Sequence, residues 1–562
     1  MKHHRSIFAA CATLLAPWVL VGAAPHPVAF DWFEYTGHDA TPSEAIAPTE
    51  YRNPILTGFY PDPSVCRVGD DYYLINSTFA YFPGIPVFHS RDLVNWQQIG
   101  NVISRPDQLH YDHQGVSRGI FAPAISCHDG TFYVVCTMID SDGNFVATST
   151  NPAGPWSDPT LLRFEGIDPS LFFDDDGRAW MLNNGAPVGT PLYSGHRAIW
   201  IQEFDPHAKA IVGPRTMLVN GGVDIRQKPV WIEGPHLFKR DGWYYLCCAE
   251  GGTSVNHSQV ILRSRNVTGP FVPWEQNPIL TQRNLDGTVP FAVTSTGHAE
   301  LVVGPDQQWW AIFLGVRPYE GRFSPMGRET FLLPVTWTPD GWPRILERSQ
   351  RVPLVVTAPN GSGLRPSSVP LNGNFTWRDD FTQPVLSPLW IMLRTPHEGW
   401  WKLDSSKGRL ELTPRAETLS GQGNPTFLAR RVQHSHFVAA TSLDVPVETG
   451  VSAGLVVFQG ERYHYFEAIK RDGKDAVIYL ERLVGGSAEV IGSVRAPATA
   501  GTISLRVEAN GAQCSFTYAV EPGKWQALVV GADAKILTTE VAGGFVGATV
   551  GVHARLDLAE RP

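Results

Sequence analysis

The chain has 562 residues, of which 43% are hydrophobic and 18% are charged. A hydrophobic fraction of this size excludes a disordered chain, and a net charge of −9 argues against a nucleic-acid partner. Glycine and proline are frequent, with 53 and 45 residues, and aromatic residues make up 11%. This mixture predicts a turn-rich β protein, because glycine and proline interrupt helices whereas aromatic residues favour strands. Length alone, at about 150 residues per domain, suggests three or four domains.

The N-terminus has the pattern of a signal peptide. Residues 2–5 are basic, an apolar stretch runs from Ile7 to about Val21, and small residues follow up to Ala23. The apolar stretch is too short and too interrupted to span a membrane, and no later segment has 18 consecutive apolar residues. We therefore expect residues 1–23 to be removed and the protein to be exported, to the periplasm or the outside of the cell. We expect no membrane partner.

Cysteines and glycosylation sequons leave alternatives open. Six cysteines follow the signal peptide, and an even number in an exported protein allows up to three disulfides, whereas buried free thiols are the alternative. They are Cys66, Cys127, Cys136, Cys247, Cys248 and Cys514. Sequons, which matter only in a host that glycosylates, occur at Asn76, Asn256, Asn266, Asn360 and Asn374.

A hairpin pattern recurs five times between residues 60 and 315. Each copy has two aromatic or β-branched runs joined by an acidic or glycine turn. The copies are PDPSVCRVGDDYYLI, APAISCHDGTFYVV, DPSLFFDDDGRAWML, EGPHLFKRDGWYYLCC and HAELVVGPDQQWWAIF. The turns lie near Asp70, Asp129, Asp176, Asp241 and Asp306. Spacing of this size predicts five propeller blades of about four strands each.

The repeat also predicts a site. In a propeller the first strand of each blade lines the central channel, so residues at equivalent ends of these strands converge. Eight residues before each turn aspartate stand Asp62, Phe121, Asp168, Glu233 and His298. Taken singly, an Asp-Pro pair usually marks a turn or the start of a strand. Three carboxylates at one position of the repeat repel one another, which indicates chemistry more readily than folding.

Paired carboxyl groups are the usual apparatus for cleaving a glycosidic bond. One carboxyl group is protonated and gives its proton to the leaving oxygen, while the other activates water or attacks the anomeric carbon. A third carboxylate can orient the acid and raise its pKa by repulsion. This chemistry requires no cofactor.

Seven stretches of the chain resemble glycoside hydrolase family 43, in particular its two-domain β-xylosidase/α-L-arabinofuranosidase type. They are NPILTGFYPDPSVCRVGDDYYLINSTF, GIDPSLFFDDDG, EGPHLF, AEGGTSVNH, TGHAELV, LGVRP and MGRETFLLPVTW-PDGWP. The resemblance implies a five-bladed β-propeller and an inverting mechanism. It also implies that Asp62 is the general base, Asp168 adjusts the pKa of the acid and orients it, and Glu233 is the general acid.

The resemblance implies further contacts. Arg317 of GVRP matches an arginine that hydrogen-bonds a sugar hydroxyl, and Phe79 of STF matches an aromatic contact to the same sugar. Thr253 matches a loop near the acid. His298 matches an axial histidine that supports the acid or coordinates a calcium ion through water, and such an ion at the propeller axis would be structural.

Two positions depart from the family pattern. Phe121 stands where many relatives have tryptophan, and Ile167 stands where the two-domain xylosidases often have phenylalanine. Both positions line the sugar pocket in relatives, so both are expected to contact substrate. The departures leave the choice between xylose and arabinose open.

The sequence pattern changes after the propeller. Residues 24–49 are expected to form an N-terminal extension, 50–352 the propeller, and 353–374 a proline-rich linker. From 375 to 562 short alternating runs with turn signals between them predict a β-sandwich. This region resembles the concanavalin-A-like domain of the same enzymes, which either narrows the active site or acts as a separate sugar-binding module through Trp400 or Trp401. The expected fold is therefore all-β with two domains.

The favoured function is an exo-acting, inverting glycoside hydrolase. It would release terminal β-D-xylose, α-L-arabinofuranose or both from hemicellulose oligosaccharides such as xylan, arabinoxylan or arabinosylated xyloglucan fragments. Two alternatives stay open, a five-bladed hydrolase of the fructan and sucrose type and a non-catalytic sugar-binding propeller. The expected partner is an oligosaccharide, and the sequence does not predict an oligomeric state.

Overall fold

A computed structural model describes residues 25–39, 46–359, 369–497 and 501–557. The predicted signal peptide and the Asn360 sequon lie outside these residues. Within them, no helix is long and apolar enough to cross a membrane. The regular secondary structure of the described residues is almost entirely β-strand; the helical segments among them are the 3-10 turns Ile225–Gln227 and Ala534–Leu537 and the single α-turn Thr539–Ala542.

Five antiparallel sheets form the blades of a propeller, which confirms the predicted fold. Blade 1 contains Ser64–Val68, Asp71–Ile75, Gly84–Ser90 and Gln97–Ile103. Blade 2 contains Gly119–His128, Thr131–Ile139, Gly143–Ser149 and Thr160–Leu161. Blade 3 contains Ile167–Phe173, Ala179–Gly185, Ala198–Asp205 and Ala210–Asn220. Blade 4 contains Glu233–Arg240, Trp243–Glu250, Ser258–Ser264, Val272–Pro273 and Leu280–Thr281. Blade 5 contains Thr294–Val303, Trp309–Val316 and Glu329–Pro334.

Blade 5 is completed by the segment that precedes blade 1. The backbone N–H of Thr330 donates to Leu56 O at 3.1 Å, and the N–H of Ile55 donates to Thr330 O at 2.9 Å. The side chain of Asn53 extends the ladder, since its Nδ2 donates to Leu332 O and its Oδ1 accepts from Leu332 N, both at 2.9 Å. These bonds join the two ends of the propeller chain and close the ring.

Hydrophobic clusters fill the gaps between neighbouring blades. Blades 4 and 5, for example, share a cluster that contains Cys247, Ile261 and Phe313, whereas Cys248 belongs to the cluster between blades 3 and 4. Adjacent residues on a strand point to opposite faces, so the two neighbouring cysteines are separated by their own sheet. All six cysteines after the predicted signal peptide are free thiols. The structure therefore favours buried thiols over disulfides.

Two eight-stranded antiparallel sheets form the second domain, the predicted β-sandwich. The first contains Trp401–Asp404, Arg409–Leu412, Val28–Gly37, His436–Asp444, Thr502–Asn510, Gln513–Ala519, Gln526–Asp533 and Phe375–Asp379. The second contains Ser487–Pro497, Asp475–Val484, Tyr463–Asp472, Val451–Gly460, Thr549–Leu556, Phe427–Arg431, Ile391–Leu393 and Tyr81–Phe82. The remaining two-stranded sheets pair Glu50–Arg52 with Val355–Thr357 and Thr336–Trp337 with Pro343–Arg344.

Three segments differ from the predicted domain boundaries. Val28–Gly37, expected in an N-terminal extension, lies inside the first sheet of the sandwich between Arg409–Leu412 and His436–Asp444. Tyr81–Phe82, expected in the propeller, forms the edge of the second sheet. Part of the expected linker, Val355–Thr357, is a strand that pairs beside blade 5. Local patterns miss these pairings because the partner strands are distant in the sequence.

A buried arginine fixes the sandwich against the propeller. The guanidinium of Arg394 donates to Gln114 O at 2.6 Å and to Gly423 O at 2.7 Å, and it contacts Glu461 at 2.5 Å. Glu461 also accepts from the backbone N–H of Val116 at 2.8 Å. Charge-assisted hydrogen bonds that are shielded from water are strong and directional. They hold the loop before blade 2 against the second domain, which brings both domains to one side of the central channel.

Candidate active site

A cavity of about 580 Å³ opens at the end of the propeller axis where the innermost strands begin. It is lined by residues of the blades and by one residue of the sandwich. Of the predicted site residues, it brings together Asp62, Phe79, Phe121, Ile167, Asp168, Glu233, Thr253 and His298. The five positions predicted from the repeat therefore converge.

The backbone takes a left-handed conformation at the start of every innermost strand. Its φ angle is 53° at Asp62, 54° at Asp168 and 51° at His298, and the equivalent positions in blades 2 and 4 are Ala122 and Gly234. In blades 2 to 5 the pairing with the second strand shifts at this point, as in a β-bulge. A left-handed conformation costs about 1 kcal/mol or more for a residue other than glycine. The bulge turns side chains from the strand into the cavity.

The structure corrects the repeat alignment by one residue in two blades. Asp62, Asp168 and His298 occupy the left-handed position itself, whereas Phe121 and Glu233 stand one residue before it. Glu233 thus enters the cavity from a different backbone position than the two aspartates. The difference arises because the alignment was counted from the turn aspartate. That aspartate is the first turn residue in blades 2 and 4 and a later turn residue in the other blades.

Asp62 is a buried carboxylate with strong donors. Ser77 Oγ donates to its Oδ2 at 2.7 Å, and Arg328 Nη1 donates to its Oδ1 at 2.8 Å. His298 Nδ1 lies 3.7 Å from the same Oδ1. Burial alone would raise the pKa of Asp62, but the charge of Arg328 and the bond from Ser77 hold that pKa below its usual value. Asp62 is therefore ionised at neutral pH, as a general base must be.

The pKa values of Asp168 and Glu233 are shifted in the opposite direction, upward. Burial, followed by the charge of Asp62, raises the pKa of Asp168 to about 7, although the backbone N–H of Gly234 donates to its Oδ2 at 3.0 Å. Burial, followed by the charges of Asp168 and Asp62, raises the pKa of Glu233 well above its usual value. Both effects favour the protonated form of Glu233, which is the form that a general acid requires.

The histidines at the axis are held neutral. Burial lowers the pKa of His298 to about 3 and that of His257 to about 4. Among the described residues, no three His, Cys, Asp or Glu side chains lie close enough to hold a metal ion. Calcium prefers six to eight oxygen ligands, so this site does not fit an ion bound directly by side chains. A calcium ion held through water at His298 stays a prediction.

Aromatic rings from both domains form one wall of the cavity. The ring centroids of Phe79 and Phe121 are 5.6 Å apart, and Phe545 lies 6.4 Å from the first and 5.8 Å from the second. Phe545 belongs to the sandwich, and its backbone N–H donates to Ser117 Oγ of the propeller at 2.9 Å. Trp400 is 1% exposed. Of the two expected roles of the sandwich, the structure thus supports shaping the active site and excludes Trp400 as an exposed sugar platform.

The prediction for Arg317 requires correction. Its guanidinium forms ion pairs with Asp39 at 2.6 Å and with Glu329 at 2.7 Å. Arg317 does not line the cavity. Arg328 lines it instead. Arg328 belongs to MGRET, one of the stretches that carry the family resemblance. The motif can therefore be recognised in the sequence, but the place of Arg328 in the cavity cannot. Burial beside two carboxylates made Arg317 a structural ion pair, which sequence spacing does not reveal.

Two family models match the chain. The model for "Glycosyl hydrolases family 43" matches residues 51–343, and the model for "Beta xylosidase C-terminal Concanavalin A-like domain" matches residues 378–558. These two matches coincide with the propeller and with most of the sandwich.

Curated proteins and solved structures are similar over most of the chain. A "Xylosidase/arabinosidase" of Butyrivibrio fibrisolvens is 37% identical over 507 residues, which cover 89% of this chain and 95% of that protein. The "Non-reducing end alpha-L-arabinofuranosidase BoGH43B" of Bacteroides ovatus is 36% identical, with 91% and 92% covered. A solved structure described as a GH43_12 from a capybara gut metagenome is 40% identical, with a TM-score of 0.89 and 94% and 100% covered.

The buried charge of Asp168 should cost stability at high pH. Its pKa is about 7 in the folded protein and about 3.9 in an unfolded chain, so ionisation destabilises the fold as pH rises through this interval. Asp168→Asn should therefore stabilise the propeller at about pH 8, by on the order of 2 kcal/mol, and should give no gain at about pH 4. Scanning calorimetry at the two pH values measures the difference.

Asp129→Asn is the matched control for this experiment. Asp129 also has a left-handed backbone, with φ 47°, but its side chain is 91% exposed at a hairpin turn. It should change the thermal midpoint little at either pH. An equal gain for Asp168→Asn at both pH values would show that burial of charge is not the cause.

Proposed function

The chain belongs to glycoside hydrolase family 43, and from this premise we propose that it is an exo-acting, inverting hydrolase of terminal pentoses. The substrates are β-D-xylose units, α-L-arabinofuranose units or both, at the non-reducing ends of hemicellulose oligosaccharides. One observation carries the proposal. A single cavity holds Asp62, whose pKa is lowered, and Glu233, whose pKa is raised. Opposed pKa shifts in one site support Asp62 as the base and Glu233 as the acid.

The proposed reaction is a single displacement. Asp62 accepts a proton from water, the water oxygen bonds to the anomeric carbon, and the glycosidic bond breaks on the opposite face of the sugar. Glu233 gives its proton to the leaving oxygen. Asp168 accepts from the N–H of Gly234, the neighbour of Glu233, and its charge raises the pKa of the acid. Arg328 keeps Asp62 ionised through the ion pair at 2.8 Å.

The shape of the cavity supports attack at a chain end. Phe79, Phe121 and Phe545 close one side of it with contacting rings, and Phe545 is supplied by the second domain. A wall of this kind favours a substrate that enters the cavity by its end. The names of two relatives, a xylosidase/arabinosidase and a non-reducing-end arabinofuranosidase, support both pentoses.

Two aryl pentosides test the substrate. We expect hydrolysis of nitrophenyl β-D-xyloside, nitrophenyl α-L-arabinofuranoside or both, because the two sugars present similar hydroxyl patterns. The rates of nitrophenol release give kcat/KM for each and decide the preference that Phe121 and Ile167 leave open. Absence of both activities, together with absence of activity on xylo-oligosaccharides, would contradict the proposed function.

Two isosteric variants separate the acid from the base. A nitrophenolate leaves without protonation, whereas a sugar alkoxide requires a proton. Glu233→Gln should therefore lower kcat/KM for xylobiose by about 10²- to 10⁴-fold and for the nitrophenyl pentoside by much less. Asp62→Asn should lower both by a similar factor, because activation of water is needed for either substrate. Asp129→Asn again serves as the control.

Proton NMR of the first product tests the stereochemistry. Under the single displacement, the released pentose first appears with the opposite anomeric configuration to the substrate, before mutarotation mixes the anomers. A first product of retained configuration would contradict the inverting mechanism and indicate a covalent intermediate.

We also propose export and a calcium ion at the axis. Export is supported by the basic and apolar pattern of residues 2–23, and N-terminal sequencing of the secreted protein should begin at Ala24.

Calcium, held by water at His298, would raise the thermal midpoint. Chelation should lower that midpoint and added calcium should restore it; no change in either step would count against the ion.

A further inference from the structure

The position of the acid divides the cavity into two sides. Under the proposed function, on which this inference rests, Glu233 protonates the leaving oxygen, so the leaving group must lie beside Glu233. Trp231 is two residues before Glu233 and lines the cavity, as do Gly252 and Thr253. The N–H of Gly251 donates to Val230 O at 2.8 Å, which places the segment 251–253 next to Trp231.

Trp231 has an unusual backbone for its size. Its φ angle is 51°, a left-handed conformation that is costly for a bulky residue and persists only where neighbours impose it. Here the N–H of Trp231 donates to Gly195 O at 2.9 Å, and Asn184 Nδ2 donates to Ile232 O at 2.6 Å. The side chain is 37% exposed although it lines the cavity. These two hydrogen bonds therefore hold a large apolar ring at the mouth of the cavity, where it is in contact with water.

Arg197 fixes the ring from one side. Its guanidinium lies 5.0 Å from the centroid of the Trp231 ring, in a cation–π arrangement. Its Nε donates to Asn184 Oδ1 at 2.9 Å, and its Nη2 lies 3.4 Å from Glu165 Oε1. Among the described residues, the indole N–H of Trp231 has no hydrogen-bond partner. The face of the indole away from Arg197 offers apolar contact, and the indole N–H at its edge can donate to a group that extends past the ring.

We propose that Trp231 is the platform of a leaving-group subsite that takes one pyranose ring of the oligosaccharide. The apolar face of the sugar ring packs on the face of the indole opposite Arg197, and the ion pair of Arg197 with Glu165 holds the indole in place. Gly252 lines the cavity beside the segment that carries the indole, since a Cβ there would lie 3.8 Å from Val230 Cγ1. The subsite would give the enzyme a preference for oligosaccharides over substrates with small leaving groups.

A pair of substrates with and without a leaving-group ring tests the subsite. β-D-Xylosyl fluoride releases a fluoride ion, which contacts no platform, whereas xylobiose releases a pyranose. Trp231→Ala should lower kcat/KM for xylobiose by about 10-fold or more and change it for the fluoride by less than about twofold. Trp231→Phe should retain most of the activity on xylobiose. If arabinofuranose is the released sugar, α-L-arabinofuranosyl fluoride and an arabinofuranosyl-xylose replace the pair.

Trp243→Ala is the matched control. Trp243 also lies under arginine side chains, at 4.5 and 3.7 Å from its ring, but at the hairpin that joins the first two strands of the same blade. It should affect both substrates equally or not at all. Activity on the fluoride also shows that each variant is folded.

The outcomes separate this inference from the proposed function. Equal losses on both substrates for Trp231→Ala would show that Trp231 only positions Glu233, and an unchanged rate on xylobiose would show that no ring binds there; either result overturns the subsite while the function stands. Failure of the wild-type protein to hydrolyse the fluorides and the oligosaccharides would overturn the function, and the subsite with it.

Discussion

A left-handed residue at the start of each innermost strand is the constraint on which this active site depends. Five strands converge on one axis, and a regular strand would send successive side chains to alternate faces of its blade. The left-handed residue breaks that alternation and turns Asp62, Asp168 and His298 toward the axis. Proline follows the left-handed residue in four of the five blades. It removes backbone freedom at the point where a carboxyl group must be aimed.

Electrostatics then differentiates side chains that share this geometry. All three carboxyl groups are buried, and burial raises the pKa of each. Arg328 reverses this effect at Asp62 alone, because its guanidinium bonds that carboxylate directly. The ionised Asp62 in turn raises the pKa of its two neighbours. The ion pair with Arg328 therefore separates the ionised Asp62 from two carboxyl groups with raised pKa values, and the repulsion that remains is a cost in stability typical of functional sites.

The sequence predicted those features that local patterns encode. The hairpin repeat identified five blades and the residues that meet at their axis. Its phase was off by one at Phe121 and Glu233, because the turn aspartate takes different places in turns of different length. Arg317 and Arg328 both lie in recognisable motifs, and only burial beside Glu329 and Asp39 separates a structural pair from a site residue. The contribution of Phe545 depends on how the domains dock, which no local pattern contains.

Because of the strand Val28–Gly37, the sandwich contains residues from both before and after the propeller in the sequence. It lies inside a sheet whose other strands all follow the propeller in the sequence, so the propeller is inserted into the sandwich. During synthesis this first strand waits without partners until the C-terminal strands emerge. Cutting the link near residue 370 would not free a complete second domain, since the separated C-terminal piece would have a gap within its first sheet. The two domains therefore assemble as one unit, and Phe545 reaches the cavity only after the C-terminal strands have been made.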